Sequence, residues 1–472
     1  MKRFMALLLT SVLVASVVFT GCGKKKEEGN ATTPTKVAEN TTPTQPAAAQ
    51  VSDDASIKVL NLWSFTNEVP KMMKKYKELH SDFTLQIKET IVPTTDGAYQ
   101  PALDQALSAG GPSAPDLYTA EAAFVLKYTQ GDASKYAAPY TDLGIDVEKL
   151  SKEADIAPYT IDMGTNPDGK LVGLGYQATG GAFIYRRSLA KNTWGTDDPA
   201  AIKDKIGPGW DKFMAAAADL KAKGYAIVSG EGDLWHPVES ASEKGWIVDG
   251  KLNLDPGREQ FFDLAKELYD KGYSNKTKDW TDAWYADMTN TGKQQVFGFF
   301  GPAWLINYVM AGHSGGKKVG EGTYGDWAVC EPTIGFMWGG TWLLGNKETK
   351  VKKSVGSIIQ WITLDSSETG LQYFWANGTL EGPGGTKDTV ASGTIMTKSD
   401  GKLDFLGGQN MFDVFVPAGK NANGKTKTQY DESINTYFRD QVSAYVTGKK
   451  SKEQAIKDFK QNVADNLAID VE

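Results

Sequence analysis

The run Ile57-Lys58-Val59-Leu60-Asn61-Leu62-Trp63 constrains this chain more than any other stretch. It is nearly all apolar and ends abruptly in the polar residues Ser64, Thr66, Asn67 and Glu68. A parallel strand reads this way, because helices cover both faces of its sheet. A helical pattern starts at Val69-Pro70, with Met72, Met73, Tyr76 and Leu79 on one face. Proline fits a first helical turn, where a missing N–H costs nothing, and Asn67 or Thr66 supplies a cap. In α/β sheets, ligands bind beyond the carboxyl ends of strands, beside helix N-termini. Trp63, Ser64, Thr66, Asn67 and Glu68 are therefore candidate site residues.

The unit recurs. Tyr99 to Gly110 reads as a helix with Leu103 and Leu107 inward, stopped by Gly110-Gly111. Residues 115–119 read as a strand, and Glu121 opens a helix over 122–130. Strands over 171–176, 182–186, 226–229 and 295–300 alternate with helices over 211–223 and 258–271. Two helices, 430–447 and 452–467, close the chain. This is an α/β pattern with more than one sheet and no evident internal repeat. At 472 residues the chain is too long for one core, so two lobes are expected.

The amino end is a different kind of segment. A basic tip (Lys2, Arg3), an apolar run from Phe4 to Val18 and the ending Phe19-Thr20-Gly21-Cys22 form a secretory signal over 1–21. It resembles a bacterial lipoprotein signal, which makes Cys22 the lipidated residue. The run is short for a span of about 20 residues, which argues against an uncut anchor. Residues 22–55, rich in Thr, Pro, Ala, Lys and Glu, read as a disordered tether averaging about 30 Å end to end. With Cys22 used, Cys330 has no disulfide partner. Its apolar neighbours Trp327, Ala328 and Val329 make it a buried packing residue. The formal charge of −7, with no basic block in the body, speaks against nucleic acid. Three histidines leave little from which to build a metal site, and no cofactor is expected.

Two catalytic patterns fail on context. Gly312-His313-Ser314-Gly315-Gly316 has the spacing of a nucleophile elbow but follows a helical stretch, Leu305 to Ala311, and not a strand. Gly320-Glu321-Gly322-Thr323-Tyr324-Gly325 precedes a strand where a dinucleotide fingerprint needs a helix.

Aromatics beside turns carry more. They are Trp63 to Glu68, Gly232-Asp233-Leu234-Trp235-His236, Trp280 with Trp284-Tyr285, Gly301-Pro302-Ala303-Trp304, and Phe336-Met337-Trp338-Gly339-Gly340. A pyranose face stacks on such rings, while its hydroxyls need short polar partners at the ring edge. Any single Trp is more often core than contact.

With these segments in order, residues 57 to 472 resemble the extracellular solute-binding proteins of sugar importers, the family that includes maltose-binding protein. The markers are the Leu62-Trp63-Ser64 strand end, Gly110-Gly111 before Ala114-Pro115-Asp116-Leu117-Tyr118, Gly173-Leu174-Gly175-Tyr176, Phe300 to Trp304, and Gly339-Gly340 before Trp342-Leu343-Leu344. The family's Gly-Pro-Trp turn is interrupted here by Ala303. The resemblance implies a two-lobed periplasmic-binding-protein-like fold (type II) with the ligand between lobes. Lobe 1 would be 56–178 and 339–390; lobe 2 would be 179–338 and 391–472. Crossings are expected near 176–180, 338–340 and 382–392. The implied protein is a monomer outside the cytoplasm, held to the membrane by lipid. It would pass a neutral oligosaccharide, such as a cellodextrin or maltodextrin, to an ABC transporter permease without catalysis.

The expected ligand contacts are Trp63, Ser64, Thr66, Asn67, Glu68, Glu121 and Gln177 on one side. On the other are Trp235, His236, Trp284, Tyr285, Trp304 and Trp338. A surface-anchored glycan-active enzyme and a glycan-tethering module are the competing readings.

Overall fold

The computed structural model describes residues 50–94, 97–240 and 242–471. The signal segment, Cys22 and the tether up to residue 49 lie outside the described residues. Residues 53 and 54, assigned to the tether by composition, are instead fixed to the fold. The Asp53 carboxylate accepts from the Ser354 amide at 3.1 Å and hydroxyl at 2.6 Å, and the Asp54 amide donates to Lys350.

The apolar run becomes β1 (Val59–Ser64), the second strand of a five-stranded sheet. Its partners are β2 (Gln86–Ile91), β3 (Leu117–Glu121), β4 (Gly173–Gly175) and, from far along the chain, β10 (Thr341–Gly345). The order is β2-β1-β3-β10-β4; β1 is parallel to β2 and β3, and β10 is antiparallel to β3 and β4. Leu60, Leu62 and Leu117 are buried, as strands covered on both faces require. The helix after β1, Glu68–Leu79, buries Val69, Met72, Met73 and Tyr76. Thr66 caps it by accepting from the Glu68 amide at 3.3 Å; the Asn67 side chain makes no capping bond.

β5 (Ala182–Arg186) starts a second, three-stranded antiparallel sheet, flanked by β8 (Gly298–Gly301) and β9 (Trp327–Cys330). β6 (Ile247–Val248) and β7 (Lys251–Leu252) form a small ribbon. The chain therefore crosses between the large sheets after β4 and again between β9 and β10. Two buried clusters form, one centred on Leu60, Leu174 and Leu343, the other on Phe213, Phe261 and Phe438. The first extends from the five-stranded sheet onto Ile184, Phe299 and Val329 of the second sheet. Cys330 is buried in the second cluster, as expected.

Three local expectations change. Glu121 ends β3, and the helix after it begins only at Val125, because Ala122 bonds to Gly340 across the sheet edge. Residues 226–229 make only isolated bridges, to Val296 and Ser274. The helix Gly393–Lys398, expected in lobe 2, packs on Val147–Ala154 and Leu371–Asn377, which belong to the first half.

Candidate ligand-binding cleft

A cavity of about 600 Å³ lies between the two clusters. That is within the range of small-ligand sites. One wall is the end of β3 with the turn that follows (Glu121, Ala122, Ala123), joined by Leu126 and Met163. The opposite wall comes from the helix Glu231–Ser240, the loop 276–278 and the helix Asp431–Val446. Met337, Trp338 and Gly339, on the crossing into β10, complete it.

Glu121 pairs in register with Thr341 at the edge of β3, and its carboxylate accepts from the Ala123 amide at 2.8 Å. Burial pushes this carboxyl up to about 7, and the facing carboxylates of Glu432 and Glu239 push the same way. Near neutral pH it both donates and accepts. Glu239 behaves oppositely. Burial disfavours its charge, but the Lys427 ammonium at 2.7 Å outweighs this and holds it below the usual carboxylate range.

The helix Glu231–Ser240 starts where Asp233 accepts from the Ser229 and Gly230 amides at 3.1 and 3.2 Å. A Cβ at Gly232 would lie 2.2 Å from the Asp279 carboxylate oxygens, so a larger residue there would displace that side chain. That carboxylate also faces Arg439 at 3.5 Å and His236 at 3.9 Å. Burial, reinforced by Arg439, drives the His236 pKa down to about 3, so its ring is neutral. It lies flat on Trp338. The Trp304 indole donates to the Trp338 carbonyl at 2.9 Å, and Gly339 holds the next turn at φ +71°. The Lys276 ammonium sits 3.4 Å over the Tyr269 ring.

Four of the residues expected from sequence meet at this cavity: Glu121, Trp235, His236 and Trp338. Trp235 contributes little surface, being packed between Phe261 and Phe438 at 5.2 and 5.3 Å. Trp304 stands beside Trp338 and does not line the cavity. Trp284 is buried against Phe299, Tyr285 stacks on His313 at 4.1 Å, and neither lines the cavity. Trp63 packs half-buried on the first cluster and Ser64 is buried. Glu68 accepts from the Tyr176 hydroxyl, and Gln177 donates to Asp388 at 3.2 Å. Those two group at the first crossing, away from the cavity lining. Of Trp63, Trp235 and Trp304, only Trp235 lines this cavity, which Trp338 also faces.

Glu231, Lys276, Lys278, Lys427, Asp431, Asn435 and Arg439 line the cavity without having been singled out from sequence. One signal was present. Asp431, Asn435 and Arg439 recur every four residues, alongside the apolar stripe Ile434, Phe438 and Val442. A polar helical stripe ordinarily faces water.

Two α/β halves enclosing a polar, indole-edged cavity define a two-lobed binding protein. The chain belongs to the family of bacterial extracellular solute-binding proteins, whose profile matches residues 71–398. That family works outside the cytoplasm, and no described helix is long and apolar enough to cross a membrane. An extracellular solute-binding protein of family 1 superposes with a TM-score of 0.69 at 19% identity, over 86% of this chain and 99% of that one. The sugar-binding protein MalE from the phytopathogen Xanthomonas citri gives 0.66 at 15%, over 87% and 97%. The galacto-N-biose-/lacto-N-biose I-binding protein of the ABC transporter from Bifidobacterium longum, solved with lacto-N-biose, gives 0.64 at 17%, over 89% and 100%. At these identities the likeness is one of fold. No curated protein sequence matches the chain significantly.

Proposed function

We propose that this protein captures a neutral oligosaccharide outside the cell and delivers it to an ABC transporter permease, held to the membrane by lipid at Cys22. The observation that carries this is the cavity itself. It offers one indole face, Trp338, ringed by hydroxyl-binding groups from both halves: Glu121 on one wall, and Glu239, Asn435 and Arg439 on the other. A ligand touching both walls favours the closed form, because only that form presents both surfaces together. The lobe boundaries expected from sequence belong to this proposal, with the helix Gly393–Lys398 moved to the first lobe. A solved structure of the same fold that holds lacto-N-biose supports a carbohydrate.

A thermal-shift screen against cellodextrins, maltodextrins and other neutral oligosaccharides tests it. A ligand at a hundredfold its Kd should add about 2.7 kcal/mol of stability. No shift with any of them would overturn the carbohydrate assignment. For the anchor, Cys22→Ala should move the protein from the membrane fraction to the medium.

One observation favours an enzyme as second reading. Glu121 and Glu239 face one cavity with their pKa values pushed apart, as in a general acid and its partner carboxylate. Glu239, however, is committed to Lys427. Chromatography of oligosaccharide after long incubation with the protein should show no shortened product.

A further inference from the structure

We propose that Trp280 is an additional stacking platform beside the cavity, taking sugar rings that extend past it; this rests on the carbohydrate assignment above. Trp280 is 52% exposed, in a protein whose other indoles are buried or half-buried. Its backbone is left-handed, at φ +63°, a conformation that L-residues other than Asn and Asp rarely adopt. Lys276, four residues earlier in the same loop, is also at φ +63°. Backbone strain concentrated at one loop is a mark of functional segments.

The loop is tied down on both sides of the indole. Thr277 donates to Asp287 at 2.7 Å, Asn275 donates to the Gln294 carbonyl at 2.9 Å, and Thr281 donates to the Lys278 carbonyl at 2.7 Å. The cavity-lining residues Lys276, Thr277 and Lys278 lead directly into it. The indole runs parallel to Trp304, with centroids 6.1 Å apart and planes 9° from parallel. It meets Trp338 edge-on at 5.9 Å. Trp280 therefore continues the aromatic surface that begins at the cavity with Trp338. Packing does not require a tryptophan here, since half of the residue faces water. A glycine would hold the same turn without strain. An apolar, flat, fixed surface next to a sugar cavity suits the C–H face of a pyranose.

The test is calorimetric binding of maltodextrins and cellodextrins of two to six glucose units to the full chain, to Trp280→Ala and to Trp280→Gly. Wild-type affinity should rise with length. Both variants should lose that rise, binding the longest oligomer about tenfold more weakly and the dimer within about twofold, as one stacking contact of up to about 1.5 kcal/mol implies. Trp280→Gly should melt no lower than Trp280→Ala, because glycine accepts the left-handed turn. Equal loss at every length, no loss in either variant, or a wild-type affinity independent of length would overturn the platform while leaving sugar capture in place. A wild type that binds neither series would remove the gluco-oligosaccharide ligand and the platform with it, while the wider oligosaccharide screen decides the carbohydrate assignment itself.

Discussion

The imidazole of His236 lies flat against the indole of Trp338, with ring centroids 3.7 Å apart and planes 19° from parallel. Trp338 lies on the crossing into β10 and His236 on a helix of the second half, so the stack fixes the Trp338 indole at the cavity.

Burial holds His236 neutral, with its pKa down to about 3 against an ordinary 6.5. Between those values the unfolded chain binds more protons than the folded one. This group therefore subtracts stability as pH falls below about 6.5. His236→Phe keeps a flat ring and should flatten that part of the curve of melting temperature against pH. In the wild type, the His236 ring resonances should stay constant down to about pH 4. Titration near 6.5 would contradict the buried stack.

Glu121 carries the opposite sign. Its folded pKa of about 7 lies above the ordinary 4.5, so the folded protein holds the extra proton between those values. The stability it contributes is complete below about 4.5 and is lost as pH rises through 7. Glu121→Gln should melt higher than the wild type at pH 8 and no higher at pH 4. A difference independent of pH would show that this carboxyl titrates normally.

The Glu239–Lys427 pair has side chains only 20% and 14% exposed. Lys427→Met leaves a carboxylate enclosed without its cation, which should cost roughly 3–5 kcal/mol in denaturant unfolding. Adding Glu239→Gln to Lys427→Met should recover a large part of that loss. If the double variant is no more stable than the single one, the cation is not what permits the charge.

Trp338→Ala should weaken sugar binding at least tenfold with little change in melting temperature. Trp304→Ala acts through Trp338, by deleting the indole that donates to its carbonyl at 2.9 Å, and should also weaken binding at least tenfold. Gly339→Ala places a Cβ 3.3 Å from the Trp304 Nε1 atom at a left-handed φ of +71°, and should lower affinity along with stability. Isothermal calorimetry on the three variants separates these outcomes. Unchanged affinity in Trp338→Ala would show that its ring is structural.

Local pattern accounts for much of the fold. The run ending at Trp63 is β1, the Met72-Met73-Tyr76 face is buried, and the Leu103-Leu107 helix stops at Gly110, which has φ +63°. These follow from apolar period and from residues suited to special backbone angles, both properties of neighbours in the chain. The site was less legible. Aromatic residues at element ends are a signal that does not separate a ring that faces a cavity, Trp338, from one that packs, Trp284. The charged residues of the helix Asp431–Val446 carry no such signal, because a polar stripe looks the same whether it faces solvent or an opposite wall.

Sequence alone determined that this is an α/β chain of two cores with sugar-compatible side chains, because hydrophobic period and composition act over a few residues. Only the tertiary structure decided which of those side chains meet. Glu121, His236, Trp338 and Lys427 converge because β10 inserts beside β3 and a carboxyl-terminal helix closes the opposite wall. Contacts between residues some three hundred positions apart are set by packing of whole elements, which no short window of sequence contains.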